Sequence, residues 1–353
     1  VNLLNKKVIS LLSLVLLMTA CDKFNEPDSM MDEYLVRLAR VLDQPVSTSK
    51  LPALTKLPDK KQRMLDVPQI DVNMLEFLSL YGCELQVVVA ERNSILGRVM
   101  LPINRLRYEM KFIHSAKLCL NTLDDEQTRD ILKQAIAQKS VTLPLVFWNA
   151  VWSTEEITEL MTYSKGYLPT DTSSNHSTTT GLQKLLKIKQ QIDNQHLDTD
   201  LQQLGKIQQQ WLYSHHAGKL LKSAQLLTAR LNDATQIIEA RLAGKALCYQ
   251  QRVTPQAEIV RHFFFNIYIG KVQPYMAAVT QQSDEIFPLL NRLAQVKGHN
   301  TVSDEFNAYR QKNLHTDSAT GIWQQLHQAV ERHTQSWQRL LEQCGMRPGV
   351  ESK

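Results

Sequence analysis

Long apolar runs are nearly absent from this chain. Val8 to Met18 stands alone, and beyond it no stretch approaches the about 20 apolar residues that a bilayer-crossing helix requires. Charge of one sign is scarce as well. Forty basic against 35 acidic side chains leave a net +5, spread evenly, with no run denser than "DKK" or "RLR". A nucleic-acid partner would call for a clustered basic face, so none is expected. Cysteine is sparse, five residues in 353, without CxxC or clustered Cys/His spacing, so no metal ligand set is expected. Serine occurs in no GxSxG setting, glycine forms no phosphate loop, and no carboxylate pair follows a glycosidase pattern. Nothing compels an enzyme, and no cofactor is expected.

What is present begins with "SLVLLMTACDKF", residues 13–24, where the apolar run ends abruptly at a cysteine followed by an aspartate. Lys6 and Lys7 precede the run, which has the length of a signal-peptide core and is too short for a permanent span. Met18-Thr19-Ala20-Cys21 resembles a bacterial lipobox, a large apolar residue and two small ones before the cysteine that becomes acylated. Residues 1–20 therefore read as a lipoprotein signal peptide and Cys21 as the lipidation site. Each buried methylene contributes about 0.8 kcal/mol, so several acyl chains hold a protein on a bilayer where one does so only marginally. Asp22 resembles the sorting signal that retains such proteins on the inner membrane. The expected place is the periplasmic face of that membrane, with membrane lipid as partner through Cys21 and the outer membrane as the alternative. Loss of Lys6 and Lys7 lowers the charge to +3.

The remaining cysteines fit an oxidising compartment. Cys83, Cys119, Cys248 and Cys344 are even in number and suggest two disulfides. Cys83–Cys119 and Cys248–Cys344 are favoured, because each pair lies within one half of the chain.

The apolar pattern is helical nearly throughout. Met31, Tyr34, Leu35, Leu38, Val41 and Leu42 recur at steps of three and four, the spacing of one helical face. Gln44 to Pro68, with four prolines, reads as an extended connector. A helix is expected from Asn73 to Tyr81. "CELQVVVAERNSILGRVM" is ambiguous between strand and helix; helix is preferred because an isolated strand would lack partners. A helix starting at Pro102 follows, then others near 125–138, 143–152 and 154–163. The polar stretch "TDTSSNHSTTTG", 170–181, reads as a loop and internal boundary. Beyond it are expected a short helix at 182–194 and one very long or two stacked helices over 198–247, interrupted at "SHHAGK". A helix follows over 255–295, kinked at Pro274, then two more near 302–311 and 318–344. The fold class is all-α: an elongated helical bundle in two lobes around long central helices. Its segments are the signal 1–20, a tether with first helix and connector 21–72, an N-terminal lobe 73–169, the loop 170–181 and a C-terminal lobe 182–348.

Two candidate sites emerge. Glu91, Arg92, Asn93 and Arg98 make the densest polar cluster in an apolar region, and Glu91 and Arg98 share a helical face within reach of Arg105 and Glu109. That set suits an anion-binding or acid/base site, but a buried ion-pair network fixing helix register accounts for it more simply. Glu258 and His262, four apart, could offer two metal ligands if His114 or His215 and His216 came near; an ordinary surface histidine accounts for them more simply. The aromatic run "HFFFNIYIG" is better explained by core packing than by a binding surface.

"CELQVVVAERNSILGRVM", with "RLRYEMKFIHSAKLCL" and "GKVQPYM", resembles a family of gammaproteobacterial lipoproteins catalogued as domain of unknown function 3080. The likeness covers most of the chain beyond the signal and implies no activity and no catalytic residue. The reading that follows is a membrane-anchored helical interaction or scaffold module with an envelope protein as partner. The alternatives are an envelope enzyme acting on cell-wall or lipid material through Glu91, Arg92 and Arg98, and a small-ligand or metal-binding lipoprotein.

Overall fold

The computed structural model describes residues 26–68, 82–93, 100–171, 176–197, 201–296 and 302–346. The fold is an all-α bundle. No strand forms among the described residues, where a lone bridge joins Tyr249 and Arg252. No helix there is long and apolar enough to cross a membrane. The signal segment, Cys21, Asp22, the expected helix at 73–81 and Arg98 lie outside the described residues.

The helices are α1 Glu26–Leu42, α2 Lys60–Arg63, α3 Glu84–Asn93, α4 Pro102–Cys119, α5 Glu126–Trp152, α6 Glu155–Met161, α7 His176–Asp193, α8 Gln202–Ser214, α9 His216–Ala243, α10 Pro255–Phe263, α11 Gln273–Leu293, α12 Asp304–Tyr309 and α13 Ile322–Glu342. Wider π turns follow α10 at Phe264–Val272 and α12 at Arg310–Leu314.

Local chemistry accounts for most boundaries. Asp125, Thr154, Thr254 and Ser303 each accept the backbone N–H three residues on, capping α5, α6, α10 and α12. Pro102 and Pro255 occupy first-turn positions where no N–H is needed. At the end of α13 Gly345 is left-handed (φ 66°), with Met346 N–H on Leu341 O and Gly345 N–H on Glu342 O. That is the paired closure for which glycine is best suited.

α9 is the axis of the bundle. α13 runs parallel to it, Arg332 reaching Asn232 and Arg339 reaching Glu239. α1 also lies along it, Asp32 beside Arg230, while α11 runs antiparallel, Tyr275 on Ser223 and Gln282 on His216. α4 packs on α5, and α3 on α4. One continuous apolar core extends from Met31 to Cys344, so the two halves share it. The connector after α1 is laid on the body and is extended except at α2, where Asp59 and Gln62 close a single helical turn that the proline-rich pattern does not announce. Ser49 N–H donates to Asp233, Gln225 to Pro52 O and Trp148 to Arg63 O, and Asn149 bonds both ways with Leu65. Cys83–Cys119 ties the start of α3 to the end of α4, and Cys248–Cys344 ties the loop after α9 to the end of α13, in the expected pairing.

Three boundaries differ from expectation. α5 is one helix through Pro144 instead of two. The missing N–H is tolerated because Leu143, Val146, Phe147 and Trp148 around it are buried. α7 begins at His176, six residues before the expected start, since Thr178, Gly181 and Leu182 are drawn into contact with α8 and α9. Burial there overrides the poor helix propensity of the Ser/Thr run. At Pro274 a π segment immediately before the ring takes the place of a simple kink: Gln273 N–H bonds Tyr268 O, five residues back. The widened turns give the ring room against the Gly270 carbonyl, which it would otherwise crowd.

Candidate functional site

The polar cluster chosen from sequence divides into unlike settings. Glu91 stands exposed on α3 and pairs with Lys111 at 3.7 Å. The Arg92 guanidinium lies 6.0 Å from the centre of the Tyr108 ring. α3 ends at Asn93, whose side chain, like Arg98, lies outside the described residues. On α4, Arg105 approaches Glu109 at 3.9 Å and donates to Val67 O. Glu109 itself is buried and bonded at 2.7 Å to buried Lys139, whose ammonium sits 4.7 Å over the Phe112 ring. Glu109 with Lys139 is thus the ion pair that fixes α4 against α5. Removing one partner of such a pair typically costs about 3–5 kcal/mol. Lys139, 30 residues away in sequence, went unforeseen.

Glu258 pairs with Arg261 at 2.7 Å, and His262 and His114 are exposed. No group of three metal-competent side chains occurs among the described residues.

The histidines of "SHHAGK" are structural joints. His215 is left-handed (φ 48°) between α8 and α9, and its Nδ1 lies 2.9 Å from Glu159 O and 3.2 Å from the Glu159 carboxylate. His216 is buried between Thr178 Oγ1 and Gln282 Oε1, and burial lowers its pKa. Gly218 faces the Thr162 carbonyl so closely that a Cβ would lie 1.8 Å from its oxygen, so α9 and the end of α6 meet backbone to backbone.

A second buried network links α1, α9 and α13. Thr235 donates to Leu231 O at 2.7 Å, which leaves its oxygen to accept from His333 Nδ1 at 3.3 Å. His333 Nε2 then accepts from Tyr34 O–H at 2.8 Å, and Tyr34 oxygen accepts from Trp337 Nε1 at 2.9 Å. The network itself assigns this tautomer, since every donor then has one acceptor. Burial pushes His333 down to about 3 and Tyr34 well above the usual phenol range. Phe263, Phe264 and Tyr268 enclose the group, so most of the aromatic run is core, with Phe265 exposed.

A third cluster lies at the start of α1. Arg230 donates to Asp32 at 2.7 Å and to Ser49 O at 3.0 Å, with Asp233 at 3.5 Å, fastening the connector to α9. Asp28, one turn before Asp32, has its pKa raised by burial and then by the Asp32 carboxylate. Its neighbour Tyr167 is pushed up to about 12 by burial and Asp28, and carries the Lys222 ammonium 4.7 Å over its ring.

Open space gathers around α7. Between α7 and α8 lies a cleft of about 520 Å³ bordered by Thr180, Gly181, Lys184, Lys206 and Gln210. Gly181 lets Ile207 approach to 3.0 Å of where a Cβ would stand, which sets the floor. On the other flank, between α7 and α11, a cleft of about 690 Å³ is bordered by Leu186, Lys187, Leu289 and Arg292. At the C-terminal end of α7 a third, of about 670 Å³, opens against α5 and the end of α4, with Leu120, Ile136, Val141, Pro144 and Ile192. Asp193 borders the second and third, so the two meet at the end of α7. Clefts of this size fall in the range that accommodates ligands or anchoring side chains.

A family model described as protein of unknown function (DUF3080) matches residues 31–348. The chain belongs to that family. No curated protein and no solved structure matches it. The DUF3080 match takes in both disulfides, the His333 network and all three clefts, and begins between Asp28 and Asp32.

Proposed function

We propose that this DUF3080 protein is a lipid-anchored helical module of the cell envelope, facing the periplasm, which binds an envelope protein through the face around α7. Cys21 supplies the anchor and Asp22 the signal for inner-membrane retention. The disulfides support an oxidising compartment, where such bonds form and persist. The binding reading is carried by one observation: three sizeable clefts adjoin a single helix, two of them meeting at its end. Buried Glu109, Lys139, His216 and His333, by contrast, are occupied in holding helices together.

Photo-crosslinking in intact cells tests this reading. A photoreactive residue placed at Thr180, Lys187 or Val141 is expected to yield one discrete heavier species. The same residue at exposed Gln236 or Glu331, outside the clefts, is expected to yield none. No species from any cleft position, or equal yields from both sets, would overturn it.

A further inference from the structure

We infer that the occupant of the α7 face is an acidic amphipathic helix of a partner protein, seated along α5. The inference rests on the binding reading above and adds the chemistry of what is bound. Two observations carry it.

The first is segregation of charge. Over the whole chain basic and acidic residues nearly balance, but the borders of the three clefts are one-sided. Lys184 and Lys206 border the first, Lys187, Lys189 and Arg292 the second, and Lys117 and Lys133 the third. Asp193 is the only carboxylate among the described residues that border them. Some of this charge is answered locally: Lys189 pairs with Asp193, Lys133 with Asp130, and Lys184 donates to Gln203 Oε1. Lys117, Lys187, Lys206 and Arg292 have no ion pair among the described residues. A complementary partner places acidic groups there, which speeds encounter and excludes basic competitors.

The second is the shape and register of the third cleft. Lys133, Ile136, Ala137, Ser140, Val141 and Pro144 fall at i, i+3, i+4, i+7, i+8 and i+11 of α5 and all border it. This stripe is three turns long, about 16 Å at about 1.5 Å per residue. Its centre, Ala137 and Ser140, is small, which permits close approach of another backbone. Val141 is 65 % exposed. A short apolar groove with a cationic rim is the receiving half of helix-in-groove recognition. The groove is concave, so a flat anionic bilayer would meet its rim without reaching its floor.

The test uses the full chain carrying Cys21→Ser. The probes are a synthetic amphipathic helix of about 18 residues with a leucine stripe and glutamate elsewhere, and its lysine counterpart. The acidic peptide is expected to bind about tenfold or more tightly than the lysine one, and to weaken as salt is raised. Val141→Glu, and separately Lys117→Glu with Lys187→Glu, are each expected to weaken it about tenfold with the melting temperature unchanged, because all three side chains are exposed. Equal affinity for both peptides, or no binding of the acidic one, overturns the inference. So does sedimentation of the chain with phosphatidylglycerol vesicles that the same variants abolish, or a homodimer that Val141→Glu dissociates. A discrete crosslink at Val141 to a partner segment without acidic residues would overturn this inference alone. Absence of any crosslink would remove the reading beneath it.

Discussion

His333 shows how a single residue can be both well paired and costly. Its ring is enclosed by aromatic groups and holds its neutral form, with a pKa pushed down to about 3 by burial. The unfolded chain takes up a proton near the ordinary 6.5, so below that pH it binds more protons than the folded one. Stability from this group is therefore whole above pH 6.5 and is lost as pH falls towards 3, by up to roughly 4 kcal/mol. Urea midpoints measured between those limits should fall more steeply for the native chain than for His333→Gln, which has nothing to titrate. Some slope will remain in the variant, since buried His216 acts in the same direction. Parallel slopes would show that His333 does not titrate as its burial requires. Little of this was legible beforehand. Tyr34 and His333 are 299 positions apart, and Asp32 and Arg230 are 198 apart. A contact between distant residues leaves no mark in the local pattern of either. Spacing alone puts Glu109 within reach of Glu91 and Arg98, whereas its partner in the fold, Lys139, sits in an ordinary-looking polar stretch.

At the level of elements the sequence was more informative, because helix periodicity, caps and stops are local. The spacing from Met31 to Leu42, Pro102 at a first turn and Gly345 at a last one all translate directly into the observed helices. "VVV" in α3 is helical despite its β-branched run, its Val88 and Val89 packed into the core and Val87 exposed. The boundaries that escaped were those decided by packing: α5 passing through Pro144, and α7 recruiting the Ser/Thr run. The two disulfides act at this scale too. Their sequence separations are 36 and 96, and the loop-entropy model assigns about 3.8 and about 4.7 kcal/mol respectively. Equilibrium unfolding should therefore find the Cys248→Ser/Cys344→Ser chain less stable than the Cys83→Ser/Cys119→Ser chain by about 1 kcal/mol, with both below the native protein. The reverse order would mean that the Cys83–Cys119 link constrains native structure beyond its loop length.

Taken whole, the molecule is a helical body with a continuous core, two covalent staples and one charge-biased face. Its address decides which partners that face could meet. α1 begins at Glu26, five residues after Cys21, and even a fully extended link of that length reaches only about 17 Å. An acylated Cys21 would thus hold the start of α1, with Asp28, Arg230 and Tyr167, close to the bilayer. The clefts along α7 would then sit on a body that cannot diffuse away from the membrane. Fractionation of cells producing the native chain and Cys21→Ser bears on this most directly. The native protein should sediment with membranes and carry a metabolic palmitate label, and the variant should lose the label and leave the membrane fraction. A variant that still sediments with membranes to the same extent would contradict the account.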